Sequence, residues 1–277
     1  MKNLNDQIMS ELNKKIAIIG GGNIGCAIVK GLLRSEKIPA SNIFLTRRKI
    51  NLLDEFRGTG IHITSDNIEA VKSSDIILIA VLPSQILNLL DTLAPVLDTQ
   101  KHIIVSVVSA FTIQEIKQRT GKNVPVVRAM PNTAASVGQS MSCIASLEEE
   151  SDSLEIVKPF FDLFGHTLVI TENLISSATI LGSCGIAFFM RYIRAASQGG
   201  IQVGFHAADA QLIAAQTALG ATSLLLETGN HPEREIDKVT TPMGCTIAGL
   251  NEMEHNGLSS ALIKGIITSY NEINKLK

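Results

Sequence analysis

The 277-residue chain is 45% apolar and 18% charged with a net charge of −2, and its pI is about 6.3. This composition excludes a disordered chain, and no basic stripe marks it for nucleic acid. Four cysteines, with no CxxC pair and no metal-ligand spacing to the six histidines, read as free thiols of a reducing, cytoplasmic compartment with no metal site. In chain order, residues 1–14 carry no apolar run long enough for a signal peptide and read as a flexible or loosely helical leader. "KIAIIG" is a strand, followed by a helix from Asn23 to about Arg34. "NIFLT", "IHIT", "DIILIAVLP", "HIIVSVV" and "VPVVRAM" are further strands, with "TIQEIKQRT" a helix between the last two. Such runs, apolar on both faces and alternating with helices, predict βαβ units and a parallel sheet. "SMSCIA" and "HTLVI" are the final strands, and the acidic helix "EEESDSLEIVKPFFDLFG" lies between them.

After about Ile170 the strand patterns vanish. Ala, Leu, Ile and Gly fill helical segments over Ser183–Val203, Asp209–Thr228 and Ser259–Leu276. Several are apolar nearly all round, so other protein must cover them, and a partner subunit is the natural cover. The stretch "GIAFFMRYIRAASQGGIQVGF" is the most apolar, yet it carries Arg191 and Arg194. A charge at a bilayer centre costs ~3 kcal/mol, so no membrane span is expected.

"KIAIIGGGNIGCAIVKG" places Gly20, Gly22 and Gly25 in GxGxxG spacing between a strand and a helix. Gly20 makes the tight turn, Gly22 lets a pyrophosphate approach the backbone, and Gly25 lets helix and strand pack closely. The helix N-terminus then turns free N–H groups toward the phosphates. The fold class is therefore α/β: a Rossmann-type parallel-sheet domain over 15–170, followed by an all-helical dimerisation domain over 171–277. At the end of the second strand an NAD enzyme usually carries an acid. This chain has "TRRK", Thr46 to Lys49, with no acid until Asp54. Arg47 or Arg48 suits a 2′-phosphate, so NADPH is expected, with NADH as the second donor; the other reading is a solvated basic turn. Far downstream, "PMGCT" precedes the helical "IAGLNEME". The N–H groups of Gly244, Cys245 and Thr246 would sit at a helix N-terminus, a natural anion site. The Thr246 hydroxyl reads either as an N-cap or as a donor to a ligand.

These motifs resemble the pyrroline-5-carboxylate reductases. "GGGNIGCAIVKG" is similar to that family's glycine loop, "VVRAMPNTAASVG" to its interdomain signature, and "TTPMGCTIAGL" to its second signature, SPGGTTIAGL. The resemblance runs from about Lys15 to the C-terminus. It implies NADPH-dependent reduction of 1-pyrroline-5-carboxylate to proline, and a homodimer through the C-terminal helices, in some members a ring of dimers. It implies phosphate-loop roles for Gly20, Gly22, Asn23, Ile24 and Gly25, and a 2′-phosphate site at Thr46 and Arg47. Asn67 and the backbone of Ala80, Val81, Leu82 and Pro83 would contact the cofactor. Asn132 would lie beside the nicotinamide and, with Val239, Gly244, Cys245 and Thr246, would bind substrate, with Thr246 donating to the imine nitrogen.

Two segments depart from the family. SGSGPAY is here "GSCGIAF", so Gly182, Cys184 and Ile186 replace serine, serine and proline. In the other signature Met243 replaces a glycine and Cys245 a threonine. Methionine lacks glycine's backbone freedom, so Met243 should take an ordinary conformation with its thioether turned away, or line an enlarged apolar pocket. A reductase of another cyclic imino acid, or a non-catalytic NADP-binding regulator, stays open as an alternative. Chemistry by a lysine on the interdomain helix does not, because no lysine occurs from Pro159 to Asp237. Cys184 and Cys245 read as small-for-small replacements rather than reactive thiols, His231 as a turn residue, and Arg128 as a brace for the MPNT turn.

Overall fold

The computed structural model describes residues 12–275, so positions 1–11 of the expected leader lie outside the described residues. The remainder of the leader is packed rather than loose. Leu12 is buried in the core, and the Asn13 carbonyl accepts from Asn42 Nδ2 at 3.0 Å. Two compact units follow, one reaching Cys184 and taking back the chain end from Tyr270, the other spanning Gly185–Ser269.

In the first unit, β1 (Ile16–Ile19), β2 (Ile43–Thr46), β3 (His62–Thr64), β4 (Ile76–Ile79), β5 (Ile103–Ser106), β6 (Val126–Met130), β7 (Ser140–Ala145) and β8 (Gly165–Val169) make one sheet. Its order is β3-β2-β1-β4-β5-β6-β7-β8. Neighbours are parallel, as expected of this domain, except β6 and β7, which run antiparallel. The reason is chain length: residues 131–139 between them are too few for a crossover helix, so the chain turns straight back. The helices are α1 (Asn23–Ser35), α2 (Asn67–Lys72), α3 (Ile86–Leu93), α4 (Ile113–Thr120), α5 (Asp152–Asp162) and α6 (Ile175–Ala178).

Alternation along β1 shows why the strands are apolar throughout. Ile16 and Ile18 pack with α1 and with Phe160, Phe161 and Phe164. Ala17 and Ile19 face the other way, onto Ile86 and Leu90 of α3 and Ile113 and Ile116 of α4. Both faces are buried, as a parallel sheet requires. Local signals set the helix ends. In α4, Thr112 Oγ1 accepts from the Glu115 amide at 3.2 Å while Glu115 Oε2 accepts from the Thr112 amide at 2.7 Å, a reciprocal cap.

The expected boundary at 170/171 moves to 184/185. Ile175 and Ile180 are buried, and Thr179–Cys184 forms a π-helical turn bonded to the loop after β6, as described below. The regular helix therefore starts at Gly185 rather than Ser183. The second unit holds α7 (Gly185–Gln202), α8 (Ala207–Thr228), α9 (Pro232–Lys238), α10 (Cys245–His255) and most of α11 (Leu258–Asn274). Helix α9 was unforeseen. Its first position is Pro232, its cap is His231, and no apolar period marks its seven residues. This unit has little core of its own. Phe189, Met190, Leu212, Leu219, Leu226 and Ile263 are all more than two-fifths exposed. The helical run Glu172–Gln202 is long and apolar enough, by length and composition, to cross a membrane.

Candidate functional site

At the carboxyl ends of β1 and β4 the strand order reverses, and a groove of about 1190 Å³ opens there, the place where open α/β sheets bind ligands. The glycine loop forms one wall. Gly20 has φ +116, and a Cβ on it would stand 2.5 Å from the Ala80 carbonyl oxygen. A Cβ on Gly25 would stand 2.1 Å from the Gly20 carbonyl oxygen, so β1 and α1 close only over a glycine. At Gly22 a Cβ would meet nothing within 4 Å. The chain is bare and open at the one position where a pyrophosphate needs to reach the backbone, and α1 points its unbonded first-turn N–H groups the same way. These residues fit a dinucleotide.

The end of β2 holds this turn. The Thr46 carbonyl accepts from Gly20 N at 3.2 Å and Gly21 N at 2.7 Å, and Thr46 Oγ1 donates to Asn67 Oδ1 at 2.6 Å. Arg47 Nη1 donates to the Gly21 carbonyl at 2.7 Å. Arg48 and Lys49 are exposed beside it, and all three cations line the groove with Asn67. From β4 come Ala80, Val81 and Leu82, the last 66% exposed. Pro83 does not line the groove; it opens a 3₁₀ turn in which Gln85 Oε1 accepts from the Leu82 amide at 3.3 Å. Sequence reading missed Leu52, Ser65, Ser84, Gln85, Asn88, Leu89, Thr92 and Thr133, which line the groove from segments far apart in the chain. No local pattern marks them.

The loop after β6 is stitched down. Asn132 is 5% exposed. Its Nδ2 donates to the Gly182 carbonyl at 3.1 Å and its Oδ1 accepts from the Ala134 amide at 3.0 Å. Ser183 Oγ donates to the Pro131 carbonyl at 2.6 Å. The amide of Asn132, expected beside nicotinamide and substrate, is thus engaged at both ends with backbone; its neighbour Thr133 lines the groove instead. Arg128, expected to brace this turn, bonds elsewhere: Nη1 lies 3.3 Å from Glu172 Oε1, which also accepts from Ile113 N at 2.7 Å. Burial lowers the Arg128 pKa, and Glu172 opposes that shift.

In the second unit, residues 241–244 form a β-turn closed by Gly244 N donating to the Thr241 carbonyl at 2.9 Å. Pro242 is its second residue and Met243 its third, with φ +60. The expectation of an ordinary backbone at Met243 is therefore wrong. A turn of this type demands positive φ at its third residue whatever stands there. The thioether is wholly exposed. Gly244 caps α10 without a side-chain bond, and its N–H, committed to the turn, is withdrawn from the expected anion site. Thr246 sits inside the first helical turn, which removes the N-cap reading. Among the described residues its hydroxyl has no hydrogen-bond partner, and the Cys245 and Thr246 N–H groups are likewise unbonded. Val239 ends α9 and is exposed.

Burial disfavours the thiolate at three of the cysteines. Burial raises the pKa of Cys184 and Cys143, and burial with the charge of Glu55 raises that of Cys26. His231 Nδ1 accepts from Glu233 N at 3.3 Å, a helix cap.

Residues 172–276 match the family described as pyrroline-5-carboxylate reductase dimerisation, and 15–110 that described as NADP oxidoreductase coenzyme F420-dependent. Pyrroline-5-carboxylate reductase 2 of Dictyostelium discoideum is 45% identical over 95% of this chain and 93% of its own length. Pyrroline-5-carboxylate reductase 1 of the same organism is 49% identical over 92% of this chain, which spans 48% of that protein's length. A solved pyrroline-5-carboxylate reductase of Coxiella burnetii superposes with a TM-score of 0.86 at 28% identity, covering 96% of this chain and 99% of that one.

Proposed function

This chain belongs to the pyrroline-5-carboxylate reductase family, and we propose that it reduces 1-pyrroline-5-carboxylate to proline with NADPH. The observation that carries the cofactor half is the groove: an open Gly22 backed by a helix N-terminus at one place, and Arg47, Arg48 and Lys49 at the end where a 2′-phosphate would lie. The cofactor supplies hydride to the imine carbon. The chain's own work is to hold and protonate. Unbonded N–H groups at the start of α10 suit the substrate carboxylate, and the free Thr246 hydroxyl suits the imine nitrogen as donor or relay. The φ of Met243 supports retained carboxylate binding, because the turn keeps a glycine-like backbone and only a side chain has changed.

We read the uncovered apolar faces of α7, α8 and α11 as a homodimer surface, supported by the dimerisation-family match. Rings of dimers are the higher assembly the family suggests. Arg191 and Arg194 weigh against lipid as the cover, and the free cysteines suit a cytoplasmic setting. The test follows loss of NADPH absorbance with 1-pyrroline-5-carboxylate, with its six-membered homologue and with no substrate. Turnover of the five-membered ring supports the proposal; turnover of the six-membered ring alone transfers the assignment to another cyclic imino acid. NADPH binding without turnover of either makes the chain a regulator.

A further inference from the structure

We propose that Arg47 is a positioning residue for the pyrophosphate-binding turn, and that discrimination of the 2′-phosphate falls mainly to Arg48. This rests on the cofactor reading above and divides the basic end of the groove into two jobs. The Gly21 carbonyl accepts twice, from Arg47 Nη1 at 2.7 Å and from Cys26 Sγ at 3.4 Å. The Gly21 amide is bonded to the Thr46 carbonyl at 2.7 Å. Gly21 is thus lashed to the end of β2 at both its N–H and its C=O.

The peptide joining Gly21 to Gly22 lies between two glycines, so little steric resistance keeps it from flipping. Across a trans peptide, C=O and N–H point in opposite directions. With the Gly21 carbonyl drawn toward Arg47, the Gly22 N–H points away from Arg47, and Gly22 itself lines the groove with open space beside it. A flipped peptide would present a carbonyl oxygen to the diphosphate in place of a donor. The clasp therefore acts on the part of the ligand that NADH and NADPH share. Arg48 makes no hydrogen bond or ion pair among the described residues and is exposed at the same end. Its charge is free for a group that only NADPH carries.

The experiment measures dissociation constants of NADH and NADPH for wild type, Arg47→Met, Arg47→Lys and Arg48→Met. Methionine keeps an aliphatic stem and removes the donors; lysine keeps one charged donor. Losing a charge-assisted hydrogen bond weakens affinity roughly tenfold or more. Arg47→Met should weaken both dinucleotides by that factor, with Arg47→Lys recovering most of the NADH affinity. Arg48→Met should weaken NADPH by a similar factor and leave NADH unchanged, collapsing the affinity ratio that Arg47→Met largely preserves. If Arg47→Met fails to fold by circular dichroism, Arg47→Lys against Arg48→Met carries the comparison. The inference is overturned if Arg47→Met leaves NADH binding at the wild-type value, or if Arg47→Lys and Arg48→Met lower the NADPH-to-NADH affinity ratio alike. A wild type that binds neither dinucleotide overturns the functional reading itself, and this inference with it.

Discussion

Replacing Met243 by glycine should stabilise the protein, against the usual direction of a substitution to glycine. Met243 has φ +60 at the third position of a Pro-initiated turn. A left-handed conformation costs a residue with a Cβ about 1–2 kcal/mol. Its side chain is 102% exposed, so removing it from the protomer sacrifices no buried apolar area. Against the relief stands the extra backbone entropy that glycine loses on folding, about 0.5–1 kcal/mol. Midpoint against midpoint, the net expectation is a gain of about 0.75 kcal/mol, or roughly 1.5–3 °C in Tm for a chain of this size. Met243→Ala is the control: it deletes the thioether and keeps the strained Cβ, and should match the wild type. Urea unfolding at one fixed protomer concentration gives both numbers, with an unchanged slope showing that the unfolded state is not altered. Under the proposed function, kcat/KM for 1-pyrroline-5-carboxylate should be preserved or raised in Met243→Gly. A Met243→Gly protein less stable than wild type, with Met243→Ala equally damaged, would refute the reasoning, because the thioether would then be packed in the assembled protein.

The remaining expectations are shorter. Thr246→Val keeps β-branching and removes the hydroxyl; kcat should fall ~10²-fold with NADPH affinity unchanged, and a change within about threefold would reduce Thr246 to a helix residue. Gly22→Ala, at φ −87 with open space for its Cβ, should fold like wild type and lose dinucleotide affinity. Gly25→Ala, forcing a Cβ onto the Gly20 carbonyl, should cost about 1–3 kcal/mol of stability in urea. Phe189→Asp places a charge on an uncovered apolar helix and should weaken the dimer at least tenfold by sedimentation, since an unpaired buried charge costs more than the ~1.4 kcal/mol that factor represents. His102 Nδ1 accepts from the Asp98 amide at 2.9 Å in a buried site, and burial, then the charge of Lys101, holds its pKa below the ordinary value. The unfolded chain therefore takes the proton first. Stability present above pH ~6.5 should decline as pH falls through that value, and His102→Gln should flatten the decline in urea midpoints.

What was legible in the sequence divides along physical lines. The strands were plain because a sheet covered on both faces favours wholly apolar runs such as "IAII", and the glycine loop was plain because three steric demands fix three glycines at set spacing. The groove wall was not, since Leu52, Asn88 and Thr92 meet only when separate elements fold together. Arg47 was read as a ligand contact because its charge shows in the sequence; its bond to Gly21 does not. Met243 shows the opposite error. Composition suggested that methionine would refuse a glycine's conformation, yet Pro242 before it and Gly244 after it, donating back to Thr241, close the same turn and carry Met243 into positive φ. That outcome bears on specificity. If the substrate carboxylate is held by backbone N–H groups at the start of α10, those donors are set by the turn and the helix, and both survive the exchange of side chains at 243 and 245. Contacts to the ring depend on side-chain volume, and there Ile186, Cys184 and Cys245 differ from the family. Carboxylate recognition should therefore tolerate these departures, and any change in preference should appear in the size of ring accepted.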